Sequence, residues 1–241
     1  MSRKACTLFV ALSLWQGLAV TACADARNFL TIGCDAWCQS AQWRESDYAT
    51  IEAQLAAAQN PHRQVTASGE GGVTPLHWVA AFGEARSVKL LLGYGADPAK
   101  TDQRGNTALH FLAIYGGGED LQARVQALLQ AGSRLEEKNQ EGWTALHYAA
   151  GFNKEVALVD ILLEAGAVLD AIDDRGRTPL HLAAQHHNIA IYEKLLAAGA
   201  DASIKDDRER QAADVLARTK MLAEAPFWQK LLAIWQEMGE N

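Results

Sequence analysis

Apolar positions along the chain recur in units rather than in one continuous stripe. A short block opens each unit: Thr74-Pro75-Leu76-His77-Trp78-Val79-Ala80, Thr107-Ala108-Leu109-His110-Phe111-Leu112-Ala113, Thr144-Ala145-Leu146-His147-Tyr148-Ala149-Ala150 and Thr178-Pro179-Leu180-His181-Leu182-Ala183-Ala184. The threonines stand 33, 37 and 34 residues apart, and a faded fifth copy, Gln211 to Ala217, lies another 33 residues on. Each block is followed by a leucine pair and a glycine: Leu91-Leu92 with Gly95, Leu128-Leu129 with Gly132, Leu162-Leu163 with Gly166, and Leu195-Leu196 with Gly199. Threonine caps helix N-termini well, and proline suits the first helical position because its missing N–H would have no partner there. The block therefore predicts the start of a first helix, whose Leu and Ala positions recur at helical spacing and whose small side chains let neighbours approach. The leucine pair closes a second helix, and the glycine after it fits a left-handed C-cap. Gly105, Gly142 and Gly176, two residues before a threonine, fit turns that need positive φ. One unit is turn, helix, loop, helix.

Ordering each backbone residue costs about 1–2 kcal/mol, whereas each buried apolar side chain returns only about 1.5–3 kcal/mol. A unit of this size cannot stand alone, and stacking is required. The repeated signature resembles the ankyrin repeat and covers roughly residues 37–238. The resemblance implies an all-α ankyrin-repeat solenoid, helix-turn-helix units joined by β-hairpin loops, with four near-complete repeats and degenerate caps. Trp37 to Gln59 reads as the opening unit, with Ile51 and Leu55 in place of the usual second-helix residues. Pro226, Phe227, Trp228, Leu231, Leu232 and Trp235 predict a closing helix with an apolar stripe, membrane insertion being the alternative. Two departures stand out. Repeat two carries four extra residues around Gly116 to Asp120, predicting a bulge or a longer second helix. The fifth unit has Glu209 in place of glycine and Gln211 in place of threonine, predicting a distorted turn.

The N-terminal segment reads as an address. Arg3 and Lys4 precede an uncharged run from Ala5 to Val20, a secretory signal pattern shorter than the roughly 20 residues of a membrane-spanning helix. Val20-Thr21-Ala22-Cys23 resembles the lipobox of bacterial lipoproteins, which implies cleavage before Cys23 and its lipidation. Ordinary cleavage is the alternative, since Ala22-Cys23-Ala24 and Ala24-Asp25-Ala26 both offer the small-x-small pattern. The domain reading is a signal peptide over 1–22, a tether over 23–36 and a repeat domain over 37–238. Cys34 and Cys38 are a disulfide candidate in an oxidising compartment, although an undistorted helical turn would hold them at the edge of allowed geometry. Two separately buried thiols are the alternative.

Basic residues number 22 and acidic ones 29; residues 1–22 hold two bases and no acid, so the remainder carries 20 against 29, or −9. That balance disfavours nonspecific nucleic-acid binding. No phosphate loop, HExxH, GxSxG or supported carboxylate pair is present, so no catalytic residue, cofactor or metal is assigned and the chain reads as non-enzymatic. His77, His110, His147 and His181 occupy the position at which the family bridges turn backbones. His186 and His187 with His181 do not share one helical face, which argues against a metal site.

Ankyrin arrays bind proteins through their tips and the concave end of the first helices. The resemblance implies a protein partner, and a monomeric array is expected; the signal pattern and the lipobox imply periplasmic residence on a membrane anchor, with a soluble periplasmic or secreted form as the alternative. An inhibitor or immunity protein that occludes a toxin or hydrolase is the functional alternative. Eight residues after each motif threonine stand Phe82, Tyr115, Phe152 and His186, predicting an aromatic ladder. Packing between repeats is the competing role, more so for Trp78, Phe111 and Tyr148. One residue before the threonine stand Val73, Asn106, Trp143, Arg177 and Arg210, and three before it Arg104, Glu141, Arg175 and Arg208. The candidate contact set is Phe82, Arg104, Asn106, Tyr115, Trp143, Phe152, Arg175, Arg177 and His186. The arginine-rich later tips suit an acidic partner strip; neutralisation by Asp173-Asp174 and Asp206-Asp207 is the other reading.

Overall fold

The computed structural model describes residues 47–58, 62, 68 and 70–224. Cys23, Cys34, Cys38, the segments 1–22 and 23–36 and the stripe from Pro226 to Trp235 lie outside the described residues. Among the described residues ten α-helices follow in order: α1 Tyr48–Ala57, α2 Pro75–Phe82, α3 Ala85–Gly93, α4 Ala108–Tyr115, α5 Leu121–Gln130, α6 Ala145–Phe152, α7 Val156–Glu164, α8 Pro179–Gln185, α9 Ile189–Ala197 and α10 Ala212–Glu224.

The first helices stack in the row α2, α4, α6, α8, α10, and the second helices in the row α1, α3, α5, α7, α9. The core runs between the rows. Leu76, Leu109, Leu146 and Leu180 from the first row and Leu91, Leu128, Leu162 and Leu195 from the second are each at most 1% exposed. Ile51 and Leu55 of α1 are fully buried and continue the second row, as their place in the opening unit predicts. The second helices α3, α5, α7 and α9 end in the same pair of bonds: at α7, Gly166 N–H donates to Leu163 O at 2.9 Å and Ala167 N–H to Leu162 O at 3.0 Å. Gly95, Gly132 and Gly199 repeat this Schellman geometry at φ near +90°.

The tips are turns rather than paired strands, and an isolated bridge joins Lys205 to Gln211. Their backbone groups are used in two other ways. Asp173 N–H donates across its own turn to Arg177 O at 2.9 Å, and Asp174 N–H donates back to Glu141 O of the preceding tip at 3.2 Å. Gln103, Gln140 and Asp207 donate in the same way to Gly71, Arg104 and Arg175 of the tips before them, so each tip is stacked on its predecessor.

Both departures keep the repeat geometry. Glu209 takes φ +57°, against +79°, +75° and +69° at Gly105, Gly142 and Gly176. Its turn closes as theirs do, with Asp206 N–H donating to Arg210 O at 2.9 Å, so the predicted distortion does not occur. The difference lies in what rests on the turn. A Cβ on Gly142 would stand 2.6 Å from Asp174 N of the next tip, whereas Glu209 closes the described row of tips. In place of the missing threonine–histidine pair, Asp214 accepts the Gln211 N–H at 3.0 Å. The insertion in repeat two lengthens α5 by a residue over its neighbours, and its loop is tied down: Asp120 accepts the Ala85 N–H at 2.6 Å.

Candidate interaction surface

The surface is built on cross-links at both ends of the first helices α2, α4, α6 and α8. At the N-terminal end, the Thr144 N–H donates to His147 Nδ1 at 3.2 Å, its hydroxyl lies 2.9 Å from the same nitrogen, and His147 Nε2 reaches the Arg177 carbonyl of the next tip at 3.1 Å. His77, His110 and His181 repeat this, reaching the carbonyls of Asn106, Trp143 and Arg210. A backbone donor at Nδ1 and a carbonyl at Nε2 together require the neutral ring with its proton on Nε2. Burial accordingly pushes His77 and His110 below the ordinary histidine range and takes His147 down to about 4. With both ring nitrogens of His181 engaged, it is not free to join His186 and His187 around a metal.

At the C-terminal end, the next unit supplies a polar side chain to the exposed carbonyls of the first helix. Asn153 Nδ2 donates to Ala113 O and Gly116 O, Asn188 Nδ2 to Ala150 O and Asn153 O, and Thr219 Oγ1 to Ala184 O. In repeat two the insertion displaces this position, and Arg124 does the same work with a longer reach. Its guanidinium, about 2% exposed, donates to Ala80 O at 3.0 Å, Ala81 O at 3.1 Å and Gly117 O, and pairs with Asp120 at 3.0 Å. Sequence reasoning missed this residue.

The tips divide the candidate arginines into two kinds. An Asp or Asn six residues before the helix start accepts the backbone N–H groups of the residues two and four places on: Asp102, Asn139, Asp173 and Asp206 all do so. Arg177 folds back onto that acid, 2.7 Å from Asp173, and lies with its guanidinium 5.4 Å from the Trp143 ring centre. It is 8% exposed, so its assignment to the contact set is corrected: its charge is consumed within the tip. Burial opposes ionisation of Asp173, but the Arg177 and Arg175 backbone groups and the Arg177 side chain hold its carboxyl below the usual range. Arg210 does the same for Asp206, which falls to about 2 against the opposing effect of burial. Asn106 is likewise corrected. It is 4% exposed, donating to Asp102 and accepting from Asn139 and Tyr148, each at 3.0 Å. Arg104, Arg175 and Arg208 are exposed and make no salt bridge among the described residues. Neutralisation within the tip thus holds for Arg177 and Arg210 and not for Arg104, Arg175 and Arg208.

The predicted aromatic ladder separates into two clusters. Phe82 stacks on Tyr115 with centroids 5.5 Å apart, backed by Trp78 and Phe111. Phe152 packs against His186 at 4.3 Å and against Trp143 at 5.6 Å. Burial, with the Arg177 charge, lowers the His186 pKa. Trp143 is partly buried, and its indole N–H donates to Asp173 at 2.8 Å, so it is as much scaffold as surface. Where the clusters adjoin, a cleft of about 410 Å³ is lined by Asp102, Arg104, Asn106, Phe111, Ile114 and Tyr115 from one repeat and by Glu141, Trp143, Tyr148 and Phe152 from the next. Tyr115 and Phe152 stand at it 53% and 43% exposed. Phe82 and His186 flank it through their ring partners, and Arg175 lies one tip further on.

Paired rows of short helices, closed by Schellman turns and joined by threonine–histidine boxes, define a helical-repeat solenoid with outward tips. A model of ankyrin repeats in three copies matches residues 38–123 and 119–206. The chain belongs to the ankyrin-repeat family. It is similar to ankyrin repeat domain-containing protein 63 of Mus musculus, 36% identical over 81 residues, which are 34% of this chain and 21% of that protein. NF-kappa-B inhibitor delta of Mus musculus is 37% identical over 90 residues, 36% of this chain and 26% of that protein. An ankyrin repeat protein of Neisseria meningitidis serogroup B is 49% identical over 47 residues, 20% of this chain and 19% of that protein. The matched stretches thus span about a fifth to a quarter of these relatives. Membership implies protein–protein interaction.

Proposed function

We propose that the chain is a non-enzymatic, monomeric interaction scaffold, exported and held by a lipid on Cys23, that binds a periplasmic or envelope protein. The surface is the pair of aromatic clusters with Arg104, Glu141 and Arg175 at the adjoining tips. One observation carries it: two large rings from successive repeats, Tyr115 and Phe152, remain about half exposed while lining the same cleft. Large aromatic side chains anchor interfaces because they bury much area and immobilise few rotors. Export rests on the basic start and apolar run of residues 1–20, and the anchor on the lipobox resemblance.

Affinity capture from envelope extracts tests the surface, with wild type compared against a Tyr115→Ala/Phe152→Ala variant. Both side chains are exposed, so the fold should survive, and circular dichroism verifies it. Loss of a specific partner is expected, and equal recovery of every protein would refute the surface. Adding the purified array to a captured enzyme separates blocking from tethering. Cys23→Ser should abolish metabolic labelling by fatty acid; unchanged labelling would reject the anchor.

A further inference from the structure

We propose that the cleft between Tyr115 and Phe152 receives an arginine side chain of the partner protein, its guanidinium between the aromatic walls and paired with Glu141. The inference rests on the scaffold reading above and names the chemistry of its central contact.

Three observations converge. Five of the lining side chains are aromatic: Phe111 and Tyr115 from one repeat, Trp143, Tyr148 and Phe152 from the next. Ring faces carry negative electrostatic potential and attract cations, most strongly at indole and phenol rings. The charged groups at the cleft are unbalanced in the same direction, with Asp102 and Glu141 against Arg104. The Asp102 carboxylate is occupied, accepting from Arg104 N–H, Asn106 N–H and Asn106 Nδ2 within 3.0 Å. Glu141 is exposed, and its carboxylate makes no salt bridge among the described residues. It is the one available counter-charge on the walls. The protein also displays the contact in its own interior, where the Arg177 guanidinium lies 5.4 Å from the centre of the Trp143 ring. A guanidinium suits this setting better than an ammonium, being planar, able to stack on rings and more weakly hydrated.

The order of free charges along the tips extends the assignment. Arg104, Glu141, Arg175 and Arg208 occupy the same position of successive repeats, giving plus, minus, plus, plus. The complementary strip is acidic with one basic side chain opposite Glu141, at the mouth of the cleft. An acidic partner strip and a basic residue in the cleft are thus parts of a single pattern.

The test uses the full chain and blocked amino-acid amides as probes: N-acetyl amides of arginine, lysine, glutamate and phenylalanine. Binding is read from the Trp143 indole N–H resonance. The arginine probe should bind best, weaken about threefold in Glu141→Gln and by a similar factor in Phe152→Ala, and tighten in Arg104→Gln. Tighter binding of the glutamate or phenylalanine probe overturns the proposal. Tighter binding of the lysine probe overturns the guanidinium assignment, and equal arginine binding by wild type and Glu141→Gln removes the pairing. Should capture succeed in wild type and fail in Tyr115→Ala/Phe152→Ala while the arginine probe does not bind, the cleft chemistry is wrong and the scaffold stands. If the probe binds but no partner is captured, the scaffold reading fails instead.

Discussion

Acidification should loosen the array well before its carboxylates protonate, and His147 sets the scale. In the fold its Nδ1 faces the Thr144 N–H and its Nε2 the Arg177 carbonyl, so a second proton would oppose donor to donor inside a buried box. Burial holds its pKa near 4, against 6.5 for a free side chain. Between those values the unfolded chain binds the proton that the folded chain refuses. Stability contributed by the neutral ring is therefore complete above pH 6.5 and lost as pH falls toward 4. Each unit of displacement is worth about 1.4 kcal/mol, so this one ring removes about 2 kcal/mol by pH 5 and about 3 kcal/mol by pH 4. His77 and His110 are displaced in the same direction and add to the loss. Against a typical total of about 5–15 kcal/mol, that is a large fraction. Asp206, held at about 2, contributes only at lower pH and does not confuse the window. Urea unfolding followed by circular dichroism at pH 7.5, 6, 5 and 4.5 measures the slope, and His147→Gln should flatten it by about 2 kcal/mol between pH 7.5 and 5. A histidine NMR titration gives a second reading that does not depend on how well the variant folds. A His147 ring that titrates near 6.5 in the folded chain, or a stability that rises on acidification, would refute the reasoning.

Other substitutions separate structural from surface roles, each read by the same unfolding measurement. Arg177→Ala should cost about 3 kcal/mol, because it strands the buried Asp173 carboxylate, while Arg175→Ala should stay within about 0.5 kcal/mol. Equal effects would contradict the division of the tip arginines. Arg124→Ala should destabilise by about 3–4 kcal/mol, since the carbonyls of Ala80, Ala81 and Gly117 lose their donor; a loss under about 1 kcal/mol would mean other groups serve them. Glu209→Gly should stabilise by about 1 kcal/mol through relief of its left-handed backbone, whereas Gly142→Ala should cost about 3 kcal/mol because Asp174 crowds it.

The fold was legible because the repeat writes its helix starts and stops into adjacent residues. A threonine, the Nδ1 of a histidine three residues on and a glycine after a leucine pair each act within a few residues of themselves. The same locality explains the limits. Arg124 bonds to carbonyls 43 and 44 residues away, across a repeat boundary shifted by the insertion, and nothing near it in sequence marks those partners. The separate fates of Arg175 and Arg177 do have a local signal: Asp173 lies four residues before Arg177 and two before Arg175, as Asp206 does for Arg210 and Arg208. Treating the tip arginines as one basic group passed over that spacing. Phe82, Tyr115 and Phe152 close their first helices and His186 caps its own, but spacing carries no distance between rings of successive units. It could not foretell that Phe82 would meet Tyr115, that Phe152 would meet His186, and that a cleft would open where the pairs adjoin.

Cross-links at both ends of the first helices also bear on how the surface binds. Histidine Nε2 fixes the N-terminal end to the next tip, and Asn153, Asn188, Thr219 or Arg124 fixes the C-terminal end to the next unit. The helices that carry Tyr115 and Phe152 are each held this way, so the walls of the cleft are set by the stack rather than by an incoming ligand. Association then orders few protein groups, and affinity depends on the chemistry of the contact more than on its area. The same ties couple binding to fold stability: a ring that protonates in one box loosens both the repeat and the next tip, where Glu141 and Arg175 stand. Acid should therefore weaken partner binding in the window where it weakens the fold, even for a partner with no titrating group of its own.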